Sequence, residues 1–150
     1  MVAPEPFPIC DYDCGRRITL LHLVLPAAIE AVGPAVQSVV ELVASQLPGR
    51  SEMQLEIGLA LQEALANAVV HGCGSVSAKT VECWVACDAV QGLLVVVRDP
   101  GPGFDLENEP QPLSPENLGA DHGRGIHLIR QLMDEVHFQL GGAEIHMRKK

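Results

Sequence analysis

Helices packed on one face of a mixed, mostly antiparallel sheet, a two-layer α/β sandwich of the α/β class, is the fold that three features of this sequence predict. Segments that alternate apolar and polar residues come in neighbouring pairs separated by glycine-bearing turns, the pattern of antiparallel hairpins. Two stretches with helical spacing stand between the first strand and the first hairpin, and a third stands before the last hairpin. Few strands are joined by a helical crossover, so the helices are expected to gather on one side of the sheet.

The chain has 150 residues, which is most economically one domain with a substantial core. It is 47% hydrophobic and 19% charged, a globular balance, and only 3% aromatic, so Val, Leu, Ile and Ala carry the packing. A net charge of −9 at pH 7 argues against a nucleic-acid backbone as the main partner and is compatible with a basic protein partner. Five cysteines, an odd count, and no charged-then-apolar leader fit reduced thiols in a cytoplasmic protein. The longest apolar stretches carry internal charges, so no segment reads as membrane-spanning.

Residues 1–16, with Pro4, Pro6 and Pro8 and no periodicity, are expected to form a flexible tail, leaving 17–150 as the domain. Cys10 and Cys14 with Asp11 and Asp13 could be drawn as a metal nest, but a frayed terminus is the favoured reading. Arg17 to Leu25 is rich in Ile, Leu, Val and Thr and predicts a strand ending at Pro26. Val36, Val39, Val40, Val43 and Leu47 predict a helix with Pro34 in its first turn, stopped by Pro48-Gly49. Ser51 and Gln54 form a capping box for the next helix, which runs to Gly72.

Val81, Cys83, Val85 and Cys87 alternate with polar or small residues, and a turn at Gln91-Gly92 leads to a second strand, Leu93 to Arg98. Cys83 and Cys87 share a strand face about 13 Å apart, too far to ligate one ion, and are expected in the core. Residues 104–122 form a long, acidic, proline-bearing loop, a length that in compact domains belongs to lids or to disorder. Ile126, Ile129, Met133 and Val136 follow helical spacing. The chain closes on a hairpin turning at Gly141-Gly142, which pairs Phe138 with Ile145, His137 with His146 and Glu135 with Arg148. The two histidines could form a metal or proton-sensing pair, but a solvated strand face is the favoured reading.

Three clusters interrupt the apolar pattern. Glu63 and Asn67 lie four residues apart, so both side chains stack on one face of a helix otherwise built of Leu, Ala and Val. They are costly to bury unless something polar sits against them. Asp99-Pro-Gly101-Pro-Gly103 follows directly on a strand, with Asp99 on the face of Val95 and Val97. Gly123-Arg124-Gly125 opens the helix beginning near Ile126, and bare N–H groups at such a start favour an anion. Together they are the parts of a nucleotide pocket: a carboxylate for an exocyclic amine, glycines for a flat base, a helix start for phosphates, and an amide oxygen for Mg²⁺.

The three clusters resemble the GHKL ATPase superfamily, and within it the small anti-sigma factor serine kinases. Glu63-Ala-Leu-Ala-Asn67-Ala-Val-Val-His71-Gly72 is similar to that family's N-box. Asp99-Pro-Gly-Pro-Gly103-Phe-Asp105 is similar to its first glycine box, and Gly123-Arg-Gly-Ile-His to its second. The resemblance spans roughly residues 17–150. It implies a Bergerat-type ATP-binding fold, with Asn67 ligating Mg²⁺ on the ATP phosphates and Glu63 acting as general base. It also implies Asp99 as acceptor of the adenine amine, with Gly101 and Gly103 shaping the base pocket. Gly123, Arg124 and Gly125 would lie at the phosphates, and residues 104–122 would form the lid.

The implied activity is that of an ATP-dependent protein serine/threonine kinase that sequesters a sigma factor. It would phosphorylate an anti-anti-sigma partner of the STAS type and work as a homodimer. The alternative is a module that binds ATP and a protein without transferring phosphate. A histidine-kinase catalytic domain is disfavoured, because a phosphoacceptor helix pair has no room before Arg17. One position departs from the pattern: Ala143 follows Gly142 where related proteins often carry threonine. His71 matches the family's helix end and is read as a cation against the last helix carbonyls rather than as a catalytic group.

Overall fold

Period-two alternation gives five strands: β1 (Ile18–Pro26), β2 (Thr80–Asp88), β3 (Gly92–Arg98), β4 (Glu135–Gln139) and β5 (Glu144–Lys149). They form one sheet in the order β1-β2-β3-β5-β4. The computed structural model describes residues 18–74, 78–88, 92–101 and 121–150. The expected tail with Cys10 and Cys14, Gly103, and residues 104–120 of the expected lid lie outside the described residues.

Helical spacing gives α1 (Val32–Gln46), α2 (Ser51–Asn67) and α3 (Asp121–Leu132). The sheet is simpler than the expected mixture. All four pairings among the described residues are antiparallel, because the closing hairpin inserts β5 beside β3 and β5 runs against both neighbours.

One row of residues crosses all five strands on each face. Leu23, Cys83, Val97, Ile145 and Phe138 are successive cross-strand partners, and all belong to the core shared with the helices. That core takes Val32, Ala35, Val39 and Val43 from α1, and Met53, Ile57, Leu61 and Leu65 from α2, all at three- or four-residue spacing. Burial pushes the Cys83 thiol up to about 12, so it remains a neutral core group. Cys87, expected beside it, is only half-buried.

The neighbouring row, His22, Trp84, Val96, His146 and His137, lies on the opposite face. The hairpin register is as expected, but the polar face is not a solvated one. His146 is 0% exposed, and its Nε2 lies 2.6 Å from Glu144 Oε1. The Arg98 Nε–H donates to Glu144 Oε2 at 2.6 Å, and the Arg98 guanidinium lies 4.8 Å from the centroid of Trp84. His22 stacks on the other side of the network, 4.7 Å from Trp84 and nearly parallel to it. Charge is buried here because each charged group has a partner. No group of three or more His, Cys, Asp or Glu among the described residues could hold a metal ion.

Three helix boundaries differ from expectation. Arg50, not Ser51, occupies the N-cap of α2, and no side chain caps it. Ser51 is already helical, one position too far in for the capping box. α3 begins at Asp121 and stops at Leu132, where the Asp134 N–H donates to the Arg148 carbonyl and starts β4, so Val136 is a strand residue. The last turn of the second helix is π-helical, over Ala68–Gly72.

The Glu144 carboxyl responds to two opposed effects. Burial pushes it up, while hydrogen bonds from His146 and Arg98 outweigh burial and hold it below the usual carboxylate range. A lowered folded value means that Glu144 contributes stability above the unfolded value of 4.5, and that this is lost as pH falls through the folded value. Glu144→Gln is expected to be less stable than wild type at pH 7, with the difference shrinking as pH drops below 4.5. Urea unfolding across pH 3–7 measures this, and a difference independent of pH would remove Glu144 as the acid-sensitive group.

Candidate functional site

The sheet row Val97–Ile145–Phe138 runs out at an open end of the core, where residues of α2 and α3 border a cleft of about 160 Å³ that opens to solvent. Val97, Ile145 and Ala143 form its floor, Ala64, Asn67, Ala68, His71 and Gly72 one wall, and Ile126 and Ile129 the other. Among the described residues its lining is apolar apart from Asn67, His71, Asp99 and backbone groups. A flat apolar ligand carrying a few polar handles suits such a surface.

Asp99 enters the cleft because β3 ends at Arg98. The Asp99 N–H still donates to the Ala143 carbonyl at 2.9 Å, one rung beyond the Arg98–Glu144 pair. The last ladder bond therefore sets the backbone of Asp99, and the Gly101 N–H, donating to Asp99 Oδ1 at 2.8 Å, orients its carboxylate. Burial pushes the Asp99 carboxyl up, and the Gly101 N–H partly holds it down. A ligand N–H donated to this carboxylate would replace the water it has lost.

Glu63 and Asn67 lie where α2 meets α3. A Cβ on Gly125 would sit 2.9 Å from Glu63 Oε2 and 3.1 Å from Asn67 Nδ2, so the bare Cα there lets the ends of the two polar side chains approach the α3 backbone closely. Asn67 also lines the cleft, whereas Glu63 does not. Gly123 is the third residue of α3, in the turn whose N–H groups lack intrahelical partners, and Gly125 lies two residues beyond it. The backbone of Arg124 lies between them. Asn67 and Asp99 are thus gathered at the cleft, with Gly101 behind Asp99 and Glu63 and Gly125 beside Asn67.

Some lining residues carried little sequence signal. His71, read as a helix-end cation, lies on the cleft wall. Its four-residue spacing from Asn67 was the available clue. Phe138, Ile126 and Ile129 read simply as core. Ala143 presents a methyl group to the cleft and its carbonyl to Asp99.

The histidine kinase-like ATPase domain model matches residues 25–149. The serine-protein kinase RsbW of Bacillus licheniformis is 30% identical over 142 residues, 89% of this chain and 87% of that protein. The RsbW of Bacillus pumilus is 29% identical over 143 residues, covering 90% and 88%. The RsbW of Listeria monocytogenes is 35% identical over 89 residues, covering 54% and 55%.

The seat at Gly125 can be tested without a ligand. Gly125→Ala is expected to cost less than about 1 kcal/mol net, because overpacking against Glu63 and Asn67 is relieved in part by movement of the Glu63 carboxylate and offset by the helix preference of alanine. Pairing it with Glu63→Ala should recover part of that loss. Denaturant unfolding of the single and double variants measures both, and strictly additive effects would place the strain elsewhere.

Proposed function

Since the chain belongs to the family of histidine kinase-like ATPase domains, we propose that it is an ATP-dependent protein serine/threonine kinase that acts as an anti-sigma factor. Its substrate is an anti-anti-sigma protein of the STAS type, and the two partners compete for it. The observation that carries this reading is the gathering of Asn67 and Asp99, distant in sequence, in one apolar cleft, with Glu63 one helical turn from Asn67. The similarity to serine-protein kinases over nearly the whole chain supports the same reading.

Each residue then has a chemical part. Asp99 accepts from the exocyclic amine of adenine, whose ring lies between the sheet floor and the α3 wall. Asn67 offers an amide oxygen, the hard ligand type that Mg²⁺ takes in small number beside phosphate and water oxygens, so the residue fits that ion. When bound, Mg²⁺ supplies charge neutralisation on the phosphates. Glu63 takes the proton from the serine or threonine hydroxyl as its oxygen attacks the γ-phosphorus and the bond to ADP breaks. The phosphoprotein then binds the kinase less well, which frees it to bind the sigma factor.

The protein works in the cytoplasm as a homodimer, with no direct nucleic-acid contact. Cys73, Cys83 and Cys87 are all free thiols, in keeping with a reducing compartment. Among the described residues no helix is long and apolar enough to cross a membrane. One observation favours the alternative of a binder without transfer: the Glu63 carboxylate lies against Gly125 of α3 and does not line the apolar cleft.

Saturating Mg-ATP, at 100 times its dissociation constant, is expected to stabilise the chain by about 2.7 kcal/mol. A thermal melt without any shift ends the nucleotide reading. Asn67→Ala is expected to lose the metal-dependent part of binding. Glu63→Gln should bind ATP as wild type does and transfer no label from [γ-³²P]ATP to the STAS partner. Equal transfer by Glu63→Gln and wild type would take the base role away from Glu63.

A further inference from the structure

The π-helical turn begins immediately after Asn67 and ends at Gly72, with the Cys73 N–H donating to the Ala68 carbonyl at 2.9 Å, five residues back. Here the wider turn delivers Gly72 onto Asp99. A Cβ added at Gly72 would fall on the Asp99 carboxylate, with its carbon and both oxygens all well inside contact distance. A Cβ at Gly101 would in turn fall on the Gly72 carbonyl oxygen. Gly72, Asp99 and Gly101 therefore interlock, backbone against carboxylate against backbone.

We infer that Gly72 is a specificity-determining positioning residue, whose bare Cα is the seat that holds the Asp99 carboxylate where it reads the ligand's base. The inference rests on the nucleotide reading above and adds a residue to it. The group that must yield to a side chain at position 72 is the short Asp99 side chain itself, since the carboxylate atoms are the nearest neighbours of the added Cβ. Yielding there displaces the acceptor and leaves the rest of the cleft in place. The π-turn thereby ties the two ends of the site together: Asn67 stands at its start and the seat of Asp99 at its end.

The test compares the affinities of the full chain for Mg-ATP and for Mg-inosine triphosphate, which carries a 6-oxo group in place of the 6-amino group. A charge-assisted hydrogen bond to Asp99 should make wild type prefer ATP by about tenfold or more. Gly72→Ala is expected to lose most of that preference through weaker ATP binding, with inosine triphosphate affinity changed by less than about threefold. Gly72→Ala should add no further loss in an Asp99→Ala background, because the two changes remove the same contact.

Retained preference in Gly72→Ala, or equal loss for both nucleotides, overturns the role of Gly72 alone. A wild type that binds both nucleotides equally overturns it through Asp99, and one that binds neither overturns the nucleotide reading together with it. If Gly72→Ala does not fold, Gly72→Ala/Asp99→Ala should fold, since the carboxylate is gone. A double variant that stays unfolded also overturns the inference.

Discussion

Burial of the apolar stripe of α2 is the constraint from which the geometry of the site follows. Met53, Ile57, Leu61, Leu65 and Val69 are each at most 4% exposed, so the helix cannot rotate without exposing several large side chains at once. Loss of any one of them would cost a few kcal/mol, comparable with a good share of a domain's net stability. With that stripe held against the sheet, the adjoining edge of the same helix has one direction available. Asn67 and His71 are turned to the cleft and Glu63 to the start of α3. The polar edge is positioned by the apolar one.

The two faces of the sheet divide the work. The helix-side row is apolar and ends as the cleft floor, where Val97 and Ile145 give a dry surface for a flat ligand. The opposite row carries Trp84 and His146, next to the Arg98–Glu144–His146 network. The two meet at one rung. Arg98 and Glu144 are cross-strand partners, and the residues flanking them toward the cleft, Asp99 and Ala143, share the next backbone hydrogen bond. A partly buried ion pair on one face thus clamps the strand ends that carry the Asp99 carboxylate on the other. Paired burial of this kind is favourable only when each lone pair and proton is satisfied, and Glu144 accepts from His146, Arg98 and Gln139.

Local patterns were legible where one interaction period dominates. The register of the closing hairpin follows from its alternation and the two glycines that turn it, both at positive φ, and the structure pairs Phe138 with Ile145 and His137 with His146. Helix ends were less legible, because caps depend on a single residue's backbone angles. Ser51 and Gln54 had the right spacing, yet Arg50 took the cap position. Val136 satisfied both a helical and a strand period, and the backbone bond between Asp134 and Arg148 settled it as strand.

The sequence by itself determined the fold class, the single apolar helix carrying Glu63 and Asn67, and the strand-end placement of Asp99. Each of these is written in the spacing of apolar residues along one segment, and burial of those residues leaves little choice. Only the tertiary structure decided what meets across segments. It buried His146 on a face that reads as polar, and it seated Glu63 and Asn67 against Gly125. It also widened the end of α2 into a π-turn and set Gly72 beneath Asp99. Such contacts depend on ångström-scale approach between backbones distant in sequence. In a linear pattern the absence of a Cβ at Gly72 or Gly125 looks the same as any other glycine.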